Sequence, residues 1–259
     1  MVIPAYNEEH RLPTTLESVH DFLKQTGHSF EVLVVDDGSL DGTTQVVESF
    51  AESHPAVRLV SYQPNRGKGH AVRVGMLAAD GDLVLMNDAD GASPIEEVQR
   101  LMDAIAGGAD VAIGSRAKPD ETREVKALMH RKFIGNTFNR IVQALLLPGI
   151  QDTQCGFKIF KREAARDIFS VQRTNGYGFD VEILYIAKLH GYRIAEVPIN
   201  WANVDGSKVN VLLDSPKMFV EVVRIAFSAL FGQYKRLPTN VRNGVSNRDA
   251  VGKEMDNGS

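Results

Sequence analysis

The first 116 residues alternate short apolar runs, rich in β-branched residues, with longer stretches in which apolar residues recur at helical spacing. The apolar runs lie at residues 2–3, 32–35, 57–60, 83–86 and 111–114. The helical stretches lie at residues 12–27, 42–53, 70–80 and 95–108. Short, uniformly apolar runs are typical of parallel strands buried on both faces, because crossover helices cover both sides of such a sheet. The sequence therefore predicts an α/β fold with a doubly wound, mostly parallel sheet and helices on both faces.

Composition narrows the possible functions. With 259 residues and 43% hydrophobic content, the chain can bury the core of one large α/β domain or two small ones. A net charge of -4 and a pI near 6.0 disfavour a dedicated nucleic-acid binder, which usually carries a basic excess. The single cysteine, Cys155, rules out an internal disulfide framework and favours a reducing compartment such as the cytosol. The sequence contains no unbroken run of about 18 apolar residues, so it predicts no membrane-spanning helix.

A polar cluster follows each of the five apolar runs. The clusters read PAYNEE at 4–9, DDGSLDGT at 36–43, NRGKG at 65–69, NDADG at 87–91 and GSR at 114–116. In an open parallel sheet the carboxyl ends of the strands meet at one edge, where loops and helix N-termini form the ligand site. The sequence therefore predicts a binding site at this edge.

Asp88 and Asp90 end the run LVLM and are separated by the small residue Ala89. Two carboxylates at positions i and i+2 can reach one hard cation, directly or through water. Asp oxygens suit Mg²⁺ or Mn²⁺, which retain water ligands and share their coordination with substrate phosphates. An isolated pair of this kind is usually a solvated turn, but the position beside four other polar clusters favours a metal site.

In this order and spacing, the motifs VIPAYNEE, VVDDGSLDGT, NRGKG, DADG and GSR resemble the family 2 glycosyltransferases of GT-A fold, over roughly residues 2–210. The resemblance implies a nucleotide-sugar donor, Mg²⁺ or Mn²⁺ at Asp88 and Asp90, and transfer with inversion at the anomeric carbon. It also implies that the nucleoside is held by Pro4, Ala5, Tyr6, Glu8, Val35 and Asp37. By the same resemblance, Asp88, Ala89 and Asp90 lie around the ribose, the diphosphate and the metal.

Arg66, Lys68, Arg116 and Lys208 are the candidate cations on the donor side. Structural alternatives remain open for several of the site residues. Tyr6 could pack in the core and Glu8 could be a first-turn charge at a helix start. Asp36 and Asp37 could cap the following turn, and NRGKG could itself be a simple turn.

The second part of the chain predicts the acceptor. Residues 149–165, 176–201 and 204–208 resemble the subgroup that loads glucose onto a polyprenyl phosphate, the dolichyl-phosphate β-glucosyltransferases. Relatives that use GDP-mannose tend to carry Gln and Arg where this chain has Ala92 and Ala202. The resemblance therefore favours UDP-glucose as donor, with a GDP-mannose-dependent mannosyltransferase or a hydroxyl acceptor as alternatives.

A phosphate acceptor changes the chemistry that the site needs. A phosphate monoester has a second pKa of about 6 and is mostly dianionic at neutral pH, so it needs no strong base. It does need positive charge, which the metal and Lys208 can supply at the leaving diphosphate and Arg116 and Arg131 at the acceptor. Arg131 lies in a predicted helical segment, residues 124–140, whose basic residues could equally form a solvated face.

Three further residues are predicted on the acceptor side. Asp152 and Gln154 are expected to shape it. Asp180 could orient the acceptor, act as base for a hydroxyl acceptor, or only cap a helix.

We predict a GT-A domain at residues 1–210, with a nucleotide-sugar-binding half at 1–116 and an acceptor half at 117–210. An amphipathic, interfacial helix at 211–236 and a disordered tail at 237–259 are expected to follow. Residues 217–236 are too short and too charged to span a bilayer, but they could lie at a membrane surface or pack on the domain or on a partner chain. The residues after Met1 read as the end of a first strand, so an upstream membrane anchor is possible.

Without such an anchor, the enzyme is expected to be peripheral on the cytoplasmic side of a membrane. This would be the endoplasmic reticulum in a eukaryote or the plasma membrane in a prokaryote. Two other classes remain open, a sugar nucleotidyltransferase and a non-catalytic nucleotide-sugar-binding subunit. The first would need an N-terminal glycine-rich basic loop, which VIPAYNEE is not, and motifs such as DTQCGFK argue against the second. No nucleic-acid partner is expected, and the oligomeric state is not predicted.

Overall fold

The computed structural model describes residues 1–118, 125–126, 142–143, 145–202, 204 and 211–237. Its strands are β1 Val2–Ala5, β2 Val32–Asp36, β3 Val57–Ser61, β4 Leu83–Met86, β5 Val111–Ser115, β6 Val125–Lys126, β7 Lys158–Lys161, β8 Ile194–Pro198 and β9 Trp201–Ala202. Its helices are α1 Leu12–Gln25, α2 Thr43–Ser53, α3 Lys68–Ala78, α4 Val98–Ala106, α5 Arg162–Val171, α6 Phe179–Leu189 and α7 Val211–Leu230. A short 3₁₀ turn, Ile95–Glu97, precedes α4.

The main sheet has seven strands in the order β3-β2-β1-β4-β7-β5-β8. All its neighbouring strands run parallel except β7, which is antiparallel to both β4 and β5. One core layer lies between the sheet and α1, α2 and α4, and a second lies between the sheet and α3, α5, α6 and α7. The predicted doubly wound, mostly parallel α/β fold with helices on both faces is confirmed.

The five predicted strands of residues 1–116 and the helices between them are all present, with small differences at their ends. Strand β7 comes from the predicted acceptor half, residues 117–210, yet lies between β4 and β5 of the first half. The two halves thus share one sheet. This insertion places the residues that precede β7 directly beside the end of β4.

The prediction of a helix over residues 124–140 is wrong at its start. Val125 and Lys126 form β6, which pairs in parallel with Trp201 and Ala202 of β9 in a separate two-stranded sheet. Val and Trp are residue types that favour strands, and the ladder with β9 satisfies backbone groups that a helix would have paired locally. The remainder of that segment lies outside the described residues.

Helix α7 ends at Leu230 rather than at the predicted residue 236. Gly232 has a φ of 67° and donates its N–H to the Ala229 carbonyl at 2.9 Å, a left-handed termination that favours glycine. The chain then turns back, and the buried Tyr234 donates its hydroxyl proton to Glu182 at 2.7 Å. The tail was predicted to begin at residue 237, but Leu237 is partly buried against the core, and residues 238–259 lie outside the described residues.

One face of α7 packs on the domain through the buried residues Met218, Val222 and Ile225. For this segment the sequence left open either contact with a membrane surface or packing on the domain or a partner chain. Packing on the domain is observed for this face of α7. Among the described residues, no helix is both long enough and apolar enough to span a bilayer.

Candidate active site

The carboxyl ends of β1, β2 and β4 open into a cleft of about 400 Å³, a size typical of small-ligand sites. Its lining includes most of the predicted donor-side residues: Pro4, Ala5, Tyr6, Glu8, Asp37, Lys68, Asp88, Ala89 and Asp90. It also includes Asn65 and Gly67 of the predicted NRGKG cluster, and four residues to which the sequence analysis gave no role: Arg11, Ala71, Gly176 and Tyr177. The predicted convergence of the strand-end clusters is therefore present in the structure.

Three described residues that were predicted on the donor side do not line this cleft: Val35, Arg66 and Arg116. Val35 is fully buried in the core of the sheet. Arg66 lies over the ring of Tyr62, with its guanidinium carbon 5.4 Å from the ring centroid. These side chains therefore do not form part of the cleft wall where the nucleotide was predicted to bind.

Asp37 organises the loop that carries NRGKG. Its Oδ1 accepts hydrogen bonds from the Tyr62 hydroxyl and the Arg66 N–H, both at 2.8 Å. Its Oδ2 accepts from Asn65 Nδ2 at 2.9 Å and from the Gly67 N–H at 2.8 Å. Burial, followed by the bond to Asp37, raises the pKa of Tyr62. Asp37 therefore has a structural role in this loop, and it also lines the cleft.

Glycines bring this loop close to the segment before α6. Gly67 has a φ of 102°, and a Cβ there would lie 2.5 Å from the Asn175 carbonyl oxygen. A Cβ on Gly69 would lie 2.3 Å from the Thr174 carbonyl oxygen, and its N–H donates to Asn175 at 2.7 Å. Only glycine fits where the two segments come so close together. Their close contact brings Tyr177 to the cleft wall.

Glu8 and Arg11 form a bidentate ion pair. Arg11 Nε lies 2.7 Å from Glu8 Oε2, and Arg11 Nη2 lies 2.5 Å from Glu8 Oε1. The hydrogen bond with Glu8, together with the charges of Asp90 and Asp88, raises the pKa of Arg11 against the effect of burial. Arg11 also borders a second cleft of about 370 Å³ on the other side of Asp90. Glu8 thus fixes a cation that the sequence motif did not identify.

Asp88 is paired with Lys68, whose Nζ lies 2.6 Å from Asp88 Oδ1. Burial alone would lower the pKa of Lys68, but the charges of Asp88 and Asp180 raise it well above its usual value. Asp90 Oδ1 accepts the Ala92 N–H at 3.0 Å. Burial and the adjacent charge of Asp88 raise the pKa of Asp90. The two carboxylates thus repel each other in a site that a cation would stabilise.

The surrounding charges agree with a divalent cation. Four carboxylates lie near three cations at the ends of β4 and β5, at and before the start of β7, and in the first turn of α6. The nearby pair of Arg11 and Glu8 adds no net charge, so one negative charge among these described residues is uncompensated. The carboxylates are Asp88, Asp90, Asp152 and Asp180, and the cations are Lys68, Arg116 and Lys158. Among the described residues no three His, Cys, Asp or Glu side chains form a complete ligand set. The residues present therefore fit an ion that completes its coordination with water and substrate phosphate, as Mg²⁺ and Mn²⁺ do.

Gly156 lies against the carboxylate of Asp88. A Cβ at this position would lie 2.1 Å from Asp88 Oδ2 and 2.3 Å from its Cγ. Real Cβ atoms do not approach other atoms this closely. A side chain at position 156 would therefore force either the Asp88 carboxylate or the start of β7 to move, a dependence that the sequence motif alone did not show.

Arg116 is held by Asp152, which is 2% exposed. Its Nε lies 2.7 Å from Oδ2, its Nη2 lies 2.8 Å from Oδ1, and its backbone N–H donates to Oδ2 at 2.9 Å. Against the effect of burial, Asp152 raises the pKa of Arg116. The guanidinium carbon also lies 5.3 Å from the centroid of the Trp201 ring. Arg116 thus keeps its charge and has a fixed orientation.

Glu196 on β8 supports this pair, although sequence reasoning did not identify it. It accepts hydrogen bonds from the Ser115 hydroxyl at 2.7 Å and from the Asp152 N–H at 2.8 Å. Gln154 places its Nε2 3.9 Å from Met218 Sδ of α7. The predicted acceptor-side residues Asp152 and Gln154 therefore connect β5, β8 and α7.

Asp180 pairs with the fully buried Lys158, whose Nζ lies 2.5 Å from Asp180 Oδ1. The alternative that Asp180 caps a helix is wrong. Gly178 is the N-cap of α6, and Asp180 lies inside the first turn with its carboxylate on Lys158. Sequence reasoning missed Lys158, because its partner is 22 residues away.

Four other positions were singled out from the sequence: Arg131, Lys208, Ala92 and Ala202. Arg131 and Lys208 lie outside the described residues. Ala92 and Ala202, which served as separate indications of the donor sugar, are adjacent, since the Ala202 N–H donates to the Ala92 carbonyl at 3.0 Å. The two positions therefore belong to one small region beside Asp90.

Comparison with protein families identifies a match to the model of "Glycosyl transferase family 2" over residues 1–169. A dolichyl-phosphate beta-glucosyltransferase of Saccharomyces cerevisiae is 41% identical over 253 residues, covering 91% of this chain and 76% of the yeast protein. The protein of the same name from Dictyostelium discoideum is 40% identical, with coverages of 91% and 76%. The human protein of that name is 34% identical, with coverages of 94% and 79%.

Solved structures share the fold at lower identity. Glucosyl-3-phosphoglycerate synthase from Mycobacterium tuberculosis, in complex with Mn²⁺ and UDP-glucose, matches with a TM-score of 0.65 and 20% identity. The match covers 92% of this chain and 79% of that one. Mannosyl-3-phosphoglycerate synthase from Rubrobacter xylanophilus has a TM-score of 0.66 and 21% identity, with coverages of 92% and 75%.

Proposed function

The chain belongs to glycosyl transferase family 2, and from this premise we propose that it transfers glucose from UDP-glucose to a polyprenyl monophosphate of the dolichyl type, with inversion. The match to the family model confirms the predicted family resemblance. One observation carries the proposal: a cleft with paired Lys68, Asp88 and Asp90 lies beside Arg116, which Asp152 holds in a fixed orientation. Such a site suits two anionic groups, the diphosphate of the donor and the phosphate of an acceptor. The relatives named dolichyl-phosphate beta-glucosyltransferase support the choice of sugar and acceptor.

On the donor side, the residues around Pro4, Tyr6 and Asp37 form the wall for the nucleoside. The ammonium of Lys68 offsets charge on the diphosphate and stabilises the negative charge that develops when the bond to the sugar breaks. Asp88 and Asp90 would hold Mg²⁺ or Mn²⁺, which supplies further positive charge at the diphosphate when bound. Mn²⁺ with UDP-glucose in the mycobacterial neighbour supports this assignment.

On the acceptor side, Arg116 orients the phosphate, and Asp152 prevents the guanidinium from turning away. An oxygen of the acceptor phosphate forms the bond to the anomeric carbon as the bond to the UDP oxygen breaks. Because that oxygen already carries negative charge, no side chain has to remove a proton. Asp180 is buried and ion-paired with Lys158, which favours a phosphate over a hydroxyl acceptor.

A substrate panel tests the proposal. The purified protein would be incubated with Mn²⁺, a short polyprenyl phosphate and either UDP-glucose, UDP-galactose or GDP-mannose, and the lipid product would be identified by mass. We expect a glucosylated polyprenyl phosphate from UDP-glucose alone. The matched control is the corresponding polyprenol, which lacks the phosphate and should not react. A mannosylated product, or transfer to polyprenol, would contradict the proposal.

We also propose that α7 places the protein on a membrane surface, where such an acceptor resides. Five apolar side chains within and just after α7 are exposed: Phe219, Val220, Phe227, Leu230 and Phe231. Helical spacing puts them on one face, roughly opposite the packed face, and the exposed Lys217 and Arg224 lie along one side of that exposed face. An apolar stripe beside cations suits the interface of an anionic bilayer.

The packed side of α7 connects this surface to the active site. Glu221 accepts the N–H of Gly178 at 2.7 Å, beside the cleft-lining Gly176. Bilayer contact on the exposed face of α7 would thus lie close to the cleft, and Met218 on the packed face contacts the acceptor-side Gln154. For a eukaryotic chain we propose the cytoplasmic face of the endoplasmic reticulum, in keeping with the names of the relatives.

Charged substitutions on the exposed face test the membrane proposal. Phe227 and Leu230 are 56% and 81% exposed, so Phe227→Asp and Leu230→Asp together should leave the core intact. We expect binding to vesicles that contain anionic lipid to fall at least about tenfold, because apolar burial is replaced by charge repulsion. Leu40, 83% exposed on another part of the surface, provides the control Leu40→Asp. Equal sedimentation of all variants with vesicles would contradict a docking role.

A further inference from the structure

Lys158 is fully buried, although lysine is among the residue types least often found inside proteins. It opens β7 and is paired with Met86 of β4 on one side and Ile113 of β5 on the other. The first of these strands leads to Asp88, and the second leads to Arg116. Lys158 thus starts from the position where the donor and acceptor sides of the sheet meet.

The ammonium of Lys158 has two partners. It lies 2.5 Å from Asp180 Oδ1 and 2.5 Å from the carbonyl oxygen of Cys155. Removing an ammonium from water is costly unless such partners replace the solvent. The same position brings its charge near two more site carboxylates, Asp88 and Asp152. Burial acts to raise the pKa values of both; Lys68 at Asp88 and Arg116 at Asp152 lower them most, and Lys158 lowers both further.

Asp180 pairs with Lys158 and lies close to Lys68, since the adjacent residues along the chain meet: a Cβ on Gly69 would lie 2.7 Å from Phe179 Cβ. Burial raises its pKa, while the charge of Lys158 and then that of Lys68 act to lower it. Lys68 in turn pairs with Asp88 at 2.6 Å in the wall of the cleft. The charges therefore alternate in the order Lys158, Asp180, Lys68 and Asp88. Without Lys158, the uncompensated Asp180 would compete with Asp88 for the ammonium of Lys68.

From this geometry we propose that Lys158 is a positioning residue for glycosyl transfer, which compensates Asp180 and thereby keeps the Lys68 ammonium on Asp88 and at the donor diphosphate. The inference rests on the proposed function, because the role of Lys68 at the leaving diphosphate is part of that proposed function. Lys158 itself is fully buried and does not line the cleft. It acts through Asp180 and Lys68.

Lys158→Met tests this role, because it keeps the side-chain length and removes the charge. We expect kcat to fall about 10- to 100-fold, the range for residues that orient a functional group, while KM for polyprenyl phosphate stays within about threefold. The double variant Lys158→Met/Asp180→Asn should regain much of this kcat, because the competing carboxylate charge is gone. A purely structural role would lower thermal stability without changing the kcat of the folded protein.

The assays would be run at a temperature where near-ultraviolet circular dichroism shows every variant to be folded. Lys161→Met is the matched control, since Lys161 lies on the same strand, is 40% exposed and pairs with Asp110 at 2.8 Å, away from the cleft. We expect it to leave kcat unchanged. If folded Lys158→Met keeps its kcat, or the double variant is no better than the single one, the proposal is overturned. A wild-type protein that forms no glucosyl lipid would instead refute the proposed function.

Discussion

Asp90→Asn is expected to lower metal-dependent transfer by about a thousandfold, the upper range for losing one group that stabilises charge in the transition state. Asp90 and Asp88 form the pair that would hold Mg²⁺ or Mn²⁺, and the amide of Asn is a weaker ligand that lacks the charge. The fold should persist, because the Asn Oδ1 can still accept the Ala92 N–H that Asp90 accepts at 3.0 Å.

The measurement is the initial rate of glucosyl lipid formation as a function of Mn²⁺ concentration, with thermal unfolding measured in parallel. Asp103→Asn is the control, since Asp103 is an exposed residue of α4 whose carboxylate accepts a hydrogen bond from Gln99 at 3.0 Å. It should retain wild-type rates. Undiminished turnover by Asp90→Asn, or turnover that persists in excess chelator, would remove the metal assignment.

Gly156→Ala is expected to reduce kcat by about 100- to 1000-fold without adding or removing any charge. The new methyl group would lie 2.1 Å from Asp88 Oδ2, so either Asp88 or the start of β7 must move. Movement of Asp88 breaks its 2.6 Å pair with Lys68 and displaces one of the two candidate metal ligands. Misplacement of a reacting or binding group by about 1 Å can cost 100-fold in rate.

Rates and UDP binding in the presence of Mn²⁺ would be measured for Gly156→Ala and for the control Gly107→Ala. At Gly107, the nearest atom to a new Cβ is 3.4 Å away, so the same change in composition causes no clash. We expect Gly107→Ala to match the wild type in both assays. Wild-type activity of Gly156→Ala would show that the site tolerates a different position of Asp88.

Local pattern was enough to predict the strands, the helices between them and the edge at which ligands bind. Residues 83–86, for example, are uniformly apolar and coincide with β4, and the polar residues that follow line the cleft. These predictions succeed because burial of apolar runs and the convergence of parallel strand ends depend on residues close together in the chain. Where two distant segments compete, the pattern fails, as at Val125, which pairs with Trp201 rather than continuing a helix.

The roles of single charged residues were less predictable. Lys158 and Glu196 were missed because their partners Asp180 and Asp152 are 22 and 44 residues away in the chain. Arg11 was missed although its partner Glu8 is only three residues away. Lys158 in GFKIFK reads as an ordinary surface lysine until β7 inserts between β4 and β5. Asp152 was predicted on the acceptor side, but only its bidentate bond shows that it orients Arg116.

The sequence by itself determined the fold class, the family and the carboxylate pair Asp88 and Asp90, since these depend on periodicity, order and spacing along the chain. Only the tertiary structure decided which cation meets which carboxylate: Lys68 with Asp88, Arg116 with Asp152 and Lys158 with Asp180. The physical reason is that the free energy of a buried ion pair depends on separation in space and on removal from water. Both are properties of the packed sheet rather than of any short stretch of sequence.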